Sequence, residues 1–174
     1  MRRSYCVLLV AVTLGGCLAP GYAENAVARR LTDDGLPALG LGVLAEGLSV
    51  RGRHERVLLK GAEAVAVTAA ITDLLKHTVR ERRPNGGDRA SFPSGHASVA
   101  FAMATVLADG QPKLGPYWYL LAAGVGWSRV DLRKHHGWDV IAGALLGHYV
   151  ARAVIRHNGH SSGSPGVPLL QKSW

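Results

Sequence analysis

The stretch WDVIAGALLGHYVARAVI, residues 138–155, is apolar over most of its length, holds no proline and shows no strict two-residue alternation. That pattern predicts a helix rather than a strand. Within it Asp139, Gly143, Gly147 and Ala151 recur at every fourth position. Such a stripe lacks bulky side chains, so a second helix can approach it closely. The carboxylate therefore heads a seam expected to be buried.

The same reading extends through the chain. Apolar stretches alternate with breaks rich in Gly, Pro and Arg, and further helices are expected near residues 36–49, 55–82, 95–108 and 116–127. Pro84 should end the second of these, because the residue before a proline is pushed out of the α region. Arg83 would then sit at the helix end, free to turn into a site. The expectation is an all-α, single-domain helical bundle of about five to six helices. A length of 174 residues suits one domain with a real core.

The termini read differently. Arg2 and Arg3 precede an apolar run over residues 5–14 with small residues after it, which predicts a secretory signal segment over residues 1–23. Two cleavage sites compete. Leu14-Gly15-Gly16-Cys17 resembles a lipoprotein box with Cys17 as the lipidated residue, and this is the preferred reading; Gly21-Tyr22-Ala23 resembles an ordinary site, with cleavage after Ala23. Cys6 and Cys17 are the only cysteines, so the domain expected over residues 24–157 must be stabilised by packing and not by an internal disulfide. Residues 158–174 are rich in Gly, Ser and Pro and read as a flexible tail.

The chain carries a formal net charge of +8, which suits an anionic substrate or an anionic membrane surface. Nucleic acid is not expected, because the basic residues are not interleaved with stacking aromatics. The longest uninterrupted apolar runs, 97–108 and 117–128, are twelve residues each, short of the ~20 that a spanning helix needs. An exported bundle tethered to or lying on a membrane is therefore preferred over an integral one. Tyr117, Trp118 and Tyr119 beside Lys113 read either as an interfacial belt or as ordinary core and rim aromatics.

Three short stretches gather the chemistry: Lys76-x6-Arg83-Pro84, Pro93-Ser94-Gly95-His96 and Ser128-Arg129-x5-His135-x3-Asp139. Arginine offers a planar fork of donors and lysine a compact charge, both suited to a tetrahedral oxyanion. Lys76 and Arg83 are seven residues apart and can project from one helix face. Asp73, three residues before Lys76, is positioned to hold its ammonium. A helix opening at Ser94-Gly95 aims free N–H groups and the positive end of its dipole at whatever lies before it, and glycine lets an oxyanion approach. His135 and Asp139 stand one turn apart, so the carboxylate can accept from one ring nitrogen and leave the other unprotonated as a nucleophile. His136 lacks the motif spacing and reads as packing or rim. His54, His77, His148, His157 and His160 read as structural.

Order and spacing together resemble the type 2 phosphatidic acid phosphatase superfamily, which also includes bacterial class A acid phosphatases and vanadium haloperoxidases. The resemblance covers roughly residues 32–156 and implies that superfamily's helical fold. It implies His135, His96 and Asp139 as the catalytic group, with His96 protonating the leaving group. Lys76, Arg83, Ser94, Gly95 and Arg129 are implied as phosphate ligands, with no metal and no cofactor.

The function so implied is a metal-independent phosphatase, acting through a phosphohistidine on lipid phosphate mono- or diphosphoesters of the phosphatidate or polyprenyl diphosphate type, on the periplasmic side of a bacterial membrane. The alternative is a broad-specificity periplasmic acid phosphatase acting on small soluble phosphomonoesters. Further from the pattern stand a vanadate-dependent haloperoxidase, for which the chain is short, and a non-enzymatic anion-binding protein. No protein partner is implied.

Overall fold

The computed structural model describes residues 25–49 and 54–160. They form α1 (Ala26–Ser49), α2 (His54–Val79), α3 (Gly95–Gly110), a 3-10 turn at Pro112–Leu114, α4 (Gly115–Asp131) and α5 (Gly137–His160). The all-α expectation holds: among the described residues there is no strand. The expected signal segment, its two cleavage sites and Cys17 lie outside the described residues. The stretch expected as a tail begins inside α5, whose last residue is His160, and its remainder also lies outside them.

Helix α3 is the axis of the bundle and packs against all four others. Its sequence explains this. Ala97, Ala100, Ala102 and Ala104 are fully buried, so the helix is apolar on several sides and thin enough to be surrounded. On one side Ala100, Ala104 and Leu107 join Leu39 and Val43 of α1 and Ala122 and Val125 of α4. On the other, Ala102 and Val106 join Ala64 of α2 and Ala151 and Val154 of α5. Leu107 is fully buried, and truncating it to alanine would cost about 2–5 kcal/mol through lost burial and the cavity left behind.

The α5 stripe is the tightest seam. A Cβ on Gly143 would lie 2.6 Å from the Ser94 carbonyl oxygen, and one on Gly147 would lie 2.8 Å from the Ser98 carbonyl carbon. Only hydrogen at these positions lets the two backbones meet, as the four-residue repeat leads one to expect.

Two helix boundaries differ from the sequence reading. α1 begins ten residues earlier than residue 36 and runs through Pro37. The Asp33-Asp34-Gly35-Leu36-Pro37 run looks like a break, and Pro37 cannot donate to the carbonyl one turn back. Packing on α4 overrides this. Ala28 is fully buried, Leu31 rests on Gly124 and Gly35 on Val125, and Thr32 Oγ1 meets Ser128 Oγ at 2.7 Å. α2, in turn, ends at Val79 and not near Arg82. Arg80 takes a left-handed φ of 51° while its amide closes on the Lys76 carbonyl at 3.2 Å. The helix is thus stopped four residues before Pro84.

By length and composition, one described helix is apolar enough to cross a membrane: the Gly137–His157 part of α5, with mean hydropathy 1.2. Trp138, Ile141, Leu145 and Tyr149 are each more than half exposed along it, on the side away from the buried glycine stripe.

Candidate active site

The site lies where the end of α2, the loop after it, the start of α3, the end of α4 and the start of α5 converge. Lys76 projects from the last turn of α2 and is half-buried. Its Nζ donates to the carbonyls of Ala90 at 2.7 Å and Pro93 at 2.8 Å. An ammonium has three N–H bonds, so one remains for a ligand. Carbonyls of the following loop therefore hold Lys76 in place of the expected Asp73, which lies 3.5 Å from His77 Nδ1 instead. Burial pushes the Lys76 ammonium below its ordinary value, with Arg83 adding to the effect and Asp73 opposing it only weakly.

Arg83 does not share a helix face with Lys76, because α2 has already ended. It sits in the loop, where Nε donates to Asp88 Oδ1 at 2.5 Å and the Arg83 amide bonds the Asp88 carbonyl at 3.2 Å. Asp88 thereby fixes the guanidinium, and this pairing holds the Asp88 carboxyl below its ordinary range.

Ser94 is the N-cap of α3, fully buried, and its Oγ accepts from the Ala97 amide at 3.5 Å. Its own amide donates to the Asp139 carbonyl at 2.9 Å. The Gly95 and His96 amides that follow occupy the first turn, where a helix has no partner of its own to offer them. Beside Gly95 a Cβ would stand 3.9 Å from Lys76 Cε, so the open edge of the glycine adjoins the lysine.

The spacing between Arg129 and His135 has a definite cause. α4 ends with Arg133 at φ 51°, its amide on the Val130 carbonyl at 2.9 Å and the Lys134 amide on the Arg129 carbonyl at 3.0 Å. This is a Schellman turn with arginine where glycine is usual. The His135 amide joins at 3.1 Å to the same Arg129 carbonyl, so the turn folds the histidine back over the arginine. Arg129 is 8% exposed, and its buried Nε has no hydrogen-bond partner. A guanidinium so placed has an N–H free to donate to an anion. Burial and Arg83 push it below its ordinary value, and Asp33 of α1 opposes them.

His135 is 3% exposed and its Nδ1 lies 2.7 Å from the Ser91 carbonyl. A carbonyl only accepts, so Nδ1 carries the proton and Nε2 keeps its lone pair. The expected partner, Asp139 Oδ2, stands 3.7 Å from Nδ1, beyond hydrogen-bond reach. That expectation is corrected: Asp139, fully buried, instead accepts from Ser91 Oγ at 2.5 Å and from the His136 amide at 2.8 Å.

His136 is more than rim packing. It stacks on Trp138 with ring centroids 4.5 Å apart, and its Nδ1 lies 3.3 Å from Asp139 Oδ2 and 3.5 Å from Glu81 Oε1. Ligand atoms of Glu81, His136 and Asp139 fall within 4.8 Å of one another, a group the sequence spacing did not suggest for a metal. One oxygen of each carboxylate is already engaged, Glu81 Oε1 by Trp138 Nε1 at 2.9 Å and Asp139 Oδ2 by Ser91 and His136, while the buried Asp139 Oδ1 has no hydrogen-bond partner.

Electrostatics unite the three motifs. Burial first, and then Arg129, Arg83 and Lys76, push His96 down to about 4, with Asp33 pulling the other way. Burial likewise pushes His135 down to about 4, the same three cations adding to it and the bond to Ser91 opposing. Both imidazoles therefore sense the same three cations, and both are neutral near pH 7. Sequence reasoning missed Ser91, Glu81 and Asp33. None has a spacing to flag it, and Asp33 reaches the site only because α1 packs on α4.

The model of the PAP2 superfamily matches residues 58–160. Lipid A 1-phosphatase of Porphyromonas gingivalis is 30% identical over 108 residues, covering 58% of this chain and 24% of that one. Lipid phosphate phosphatase 1 of Arabidopsis thaliana is 34% identical over 131 residues, covering 51% and 40%. Decaprenylphosphoryl-5-phosphoribose phosphatase of Mycolicibacterium smegmatis is 32% identical over 152 residues, covering 81% and 82%. This chain thus spans less than half the length of the first two relatives and most of the third. No solved structure matches.

Proposed function

This chain belongs to the PAP2 superfamily, and from that membership we propose that it is a phosphatase that releases phosphate from a phosphorylated lipid through a phosphohistidine on His135. The observation that carries the reading is the His135 ring. It is neutral, protonated on Nδ1 by its bond to Ser91, and ringed by Lys76, Arg83 and Arg129. A neutral Nε2 among cations suits attack on an anionic phosphoryl group, whose own charge would otherwise repel a nucleophile.

In the first step the Nε2 lone pair forms a bond to phosphorus while the P–O bond to the lipid breaks in line. His96 gives its proton to the departing oxygen. In the second, water attacks phosphorus, the P–N bond breaks, and His96 takes the proton from the water. His96 is neutral in the free protein because burial, and then the three cations around it, disfavour its charge. A bound phosphate offsets those cations and raises His96 toward the value an acid needs. Lys76, Arg83, Arg129 and the first amides of α3 hold the equatorial oxygens, so turnover is expected to survive chelators.

Support for a lipid substrate comes from two sides. The three relatives are named as phosphatases of lipids or of a polyprenyl-linked sugar phosphate. Helix α5, which carries Asp139, also exposes an apolar stripe, with Ile141 62% and Tyr149 66% exposed, as suits a helix whose outer face meets acyl chains. We place the active protein at a membrane, with its site on the periplasmic side of an exporting bacterium.

The test is phosphate release by the full chain in detergent from phosphatidate, a polyprenyl diphosphate and an aryl phosphate, with and without EDTA or vanadate, beside His135→Ala. Lipid-selective, EDTA-resistant turnover that vanadate inhibits and His135→Ala abolishes is expected. Equal turnover of the aryl phosphate would replace the lipid reading with a soluble acid phosphatase, and activity in His135→Ala would require another nucleophile.

A further inference from the structure

The third motif on its own suggests that Asp139 accepts the His135 proton, yet the geometry routes the contact through a residue outside all three motifs. Ser91 is fully buried. Its carbonyl receives His135 Nδ1 at 2.7 Å and its hydroxyl donates to Asp139 Oδ2 at 2.5 Å. Its amide donates to the Glu81 carbonyl at 3.0 Å. Every polar group of Ser91 is thus engaged, two of them by the nucleophile and the carboxylate. Asp139 also receives the Ser94 amide on its main-chain oxygen at 2.9 Å, so it grips both ends of the Ser91–Ser94 turn.

We propose that Ser91 is a positioning residue that couples Asp139 to His135: its carbonyl fixes the tautomer of the nucleophile, and its hydroxyl, bonded to Asp139, holds that carbonyl in place. Asp139 therefore acts on the histidine by anchoring Ser91 and by its charge, without taking the ring proton. A neutral carbonyl does not titrate in the working range, so the tautomer is set by shape alone. The inference rests on His135 as the nucleophile for its kinetic consequence, although the tautomer can be read without turnover.

Two variants of the full chain in detergent micelles separate the possibilities, read by nitrogen-15 NMR of the histidines, with His135→Gln assigning the His135 signals, and by single-turnover phosphoenzyme formation. In Asp139→Asn the amide oxygen still accepts from Ser91, so His135 should keep its Nδ1 proton and unprotonated Nε2. In Ser91→Ala the carbonyl loses its anchor. Exchange of the Nδ1 proton with water should then quicken by about tenfold or more, and phosphoenzyme formation should slow by roughly 10- to 100-fold, as for misplacement of a reacting group.

A shift of the proton to Nε2 in Asp139→Asn, or wild-type proton exchange in Ser91→Ala, would overturn the proposal. A wild type that keeps the Nδ1 tautomer but forms no phosphohistidine would sink the nucleophile reading alone and leave the Ser91 coupling standing.

Discussion

Replacing Gly143 by alanine puts a methyl group between α5 and the first turn of α3. The new Cβ would lie 2.6 Å from the Ser94 carbonyl oxygen, 3.3 Å from the Ser98 amide nitrogen and 3.4 Å from Ala97 Cβ. Carbon and oxygen sit comfortably at roughly 3.3 Å, so α5 must retreat by roughly 0.7 Å. The obstacle cannot turn aside, since the Ser94 carbonyl is main chain and already accepts the Ser98 amide at 3.0 Å. Retreat carries Asp139, one turn earlier on the same stripe, away from Ser91 and Ser94. Overpacking of this kind costs about 1–3 kcal/mol, against a gain of up to ~1 kcal/mol for removing a helical glycine. Gly40→Ala in α1 isolates the second effect, because nothing lies within 4 Å of a Cβ there. The two variants should differ by about 2 kcal/mol, or roughly 4–8 °C in thermal midpoint for a chain of this size. Turnover in Gly143→Ala should fall by about tenfold or more. Equal midpoints for the two variants, with Gly143→Ala turning over like the wild type, would refute the claim that this seam sets the geometry of the site.

Acid should act through His135, whose folded value of about 4 lies below the unfolded 6.5. Stability from keeping it neutral is complete above pH 6.5 and is lost as pH falls through 4, by about 3 kcal/mol in all; denaturant titrations of wild type and His135→Gln at pH 7 and pH 4 measure that share. The ratio kcat/KM should fall only as pH approaches 4, where the folded nucleophile protonates. Asp139→Asn removes a charge 3.7 Å from the ring, worth at most about 4.5 kcal/mol to a full positive charge developing there at an effective dielectric near 20, and kcat should drop by about 10²-fold or more in steady-state assays with the thermal midpoint little changed. Leu145→Glu places a charge on the exposed stripe of α5 and should cut co-sedimentation with anionic liposomes severalfold while sparing any aryl phosphate turnover; unchanged sedimentation would remove that stripe from the membrane reading.

The three motifs and the glycine stripe could be read directly, because each is a matter of residue type at short covalent spacing. Helix ends were harder. Arg80 and Arg133 stop α2 and α4 in the left-handed region, where glycine is the usual signal and arginine gives none. The start of α1 was hidden for the opposite reason, a proline and two acids that look like a break but are held in a helix by contacts on α4. Asp33 was consequently missed as a neighbour of His96 and Arg129.

From its order of residues alone, this protein was committed to a helical bundle and to a set of cations, histidines and a carboxylate suited to phosphate. Those facts depend on period and residue chemistry, which local sequence carries. The tertiary structure decided which group holds which. Lys76 went to carbonyls of the next loop and not to Asp73, and His136 joined the surroundings of Asp139. The His135 proton went to a carbonyl 44 residues away and not to the carboxylate one turn on. Hydrogen bonding is settled by distances of a few tenths of an ångström, and those are set only when the Ser91 turn is pressed between α3 and the start of α5.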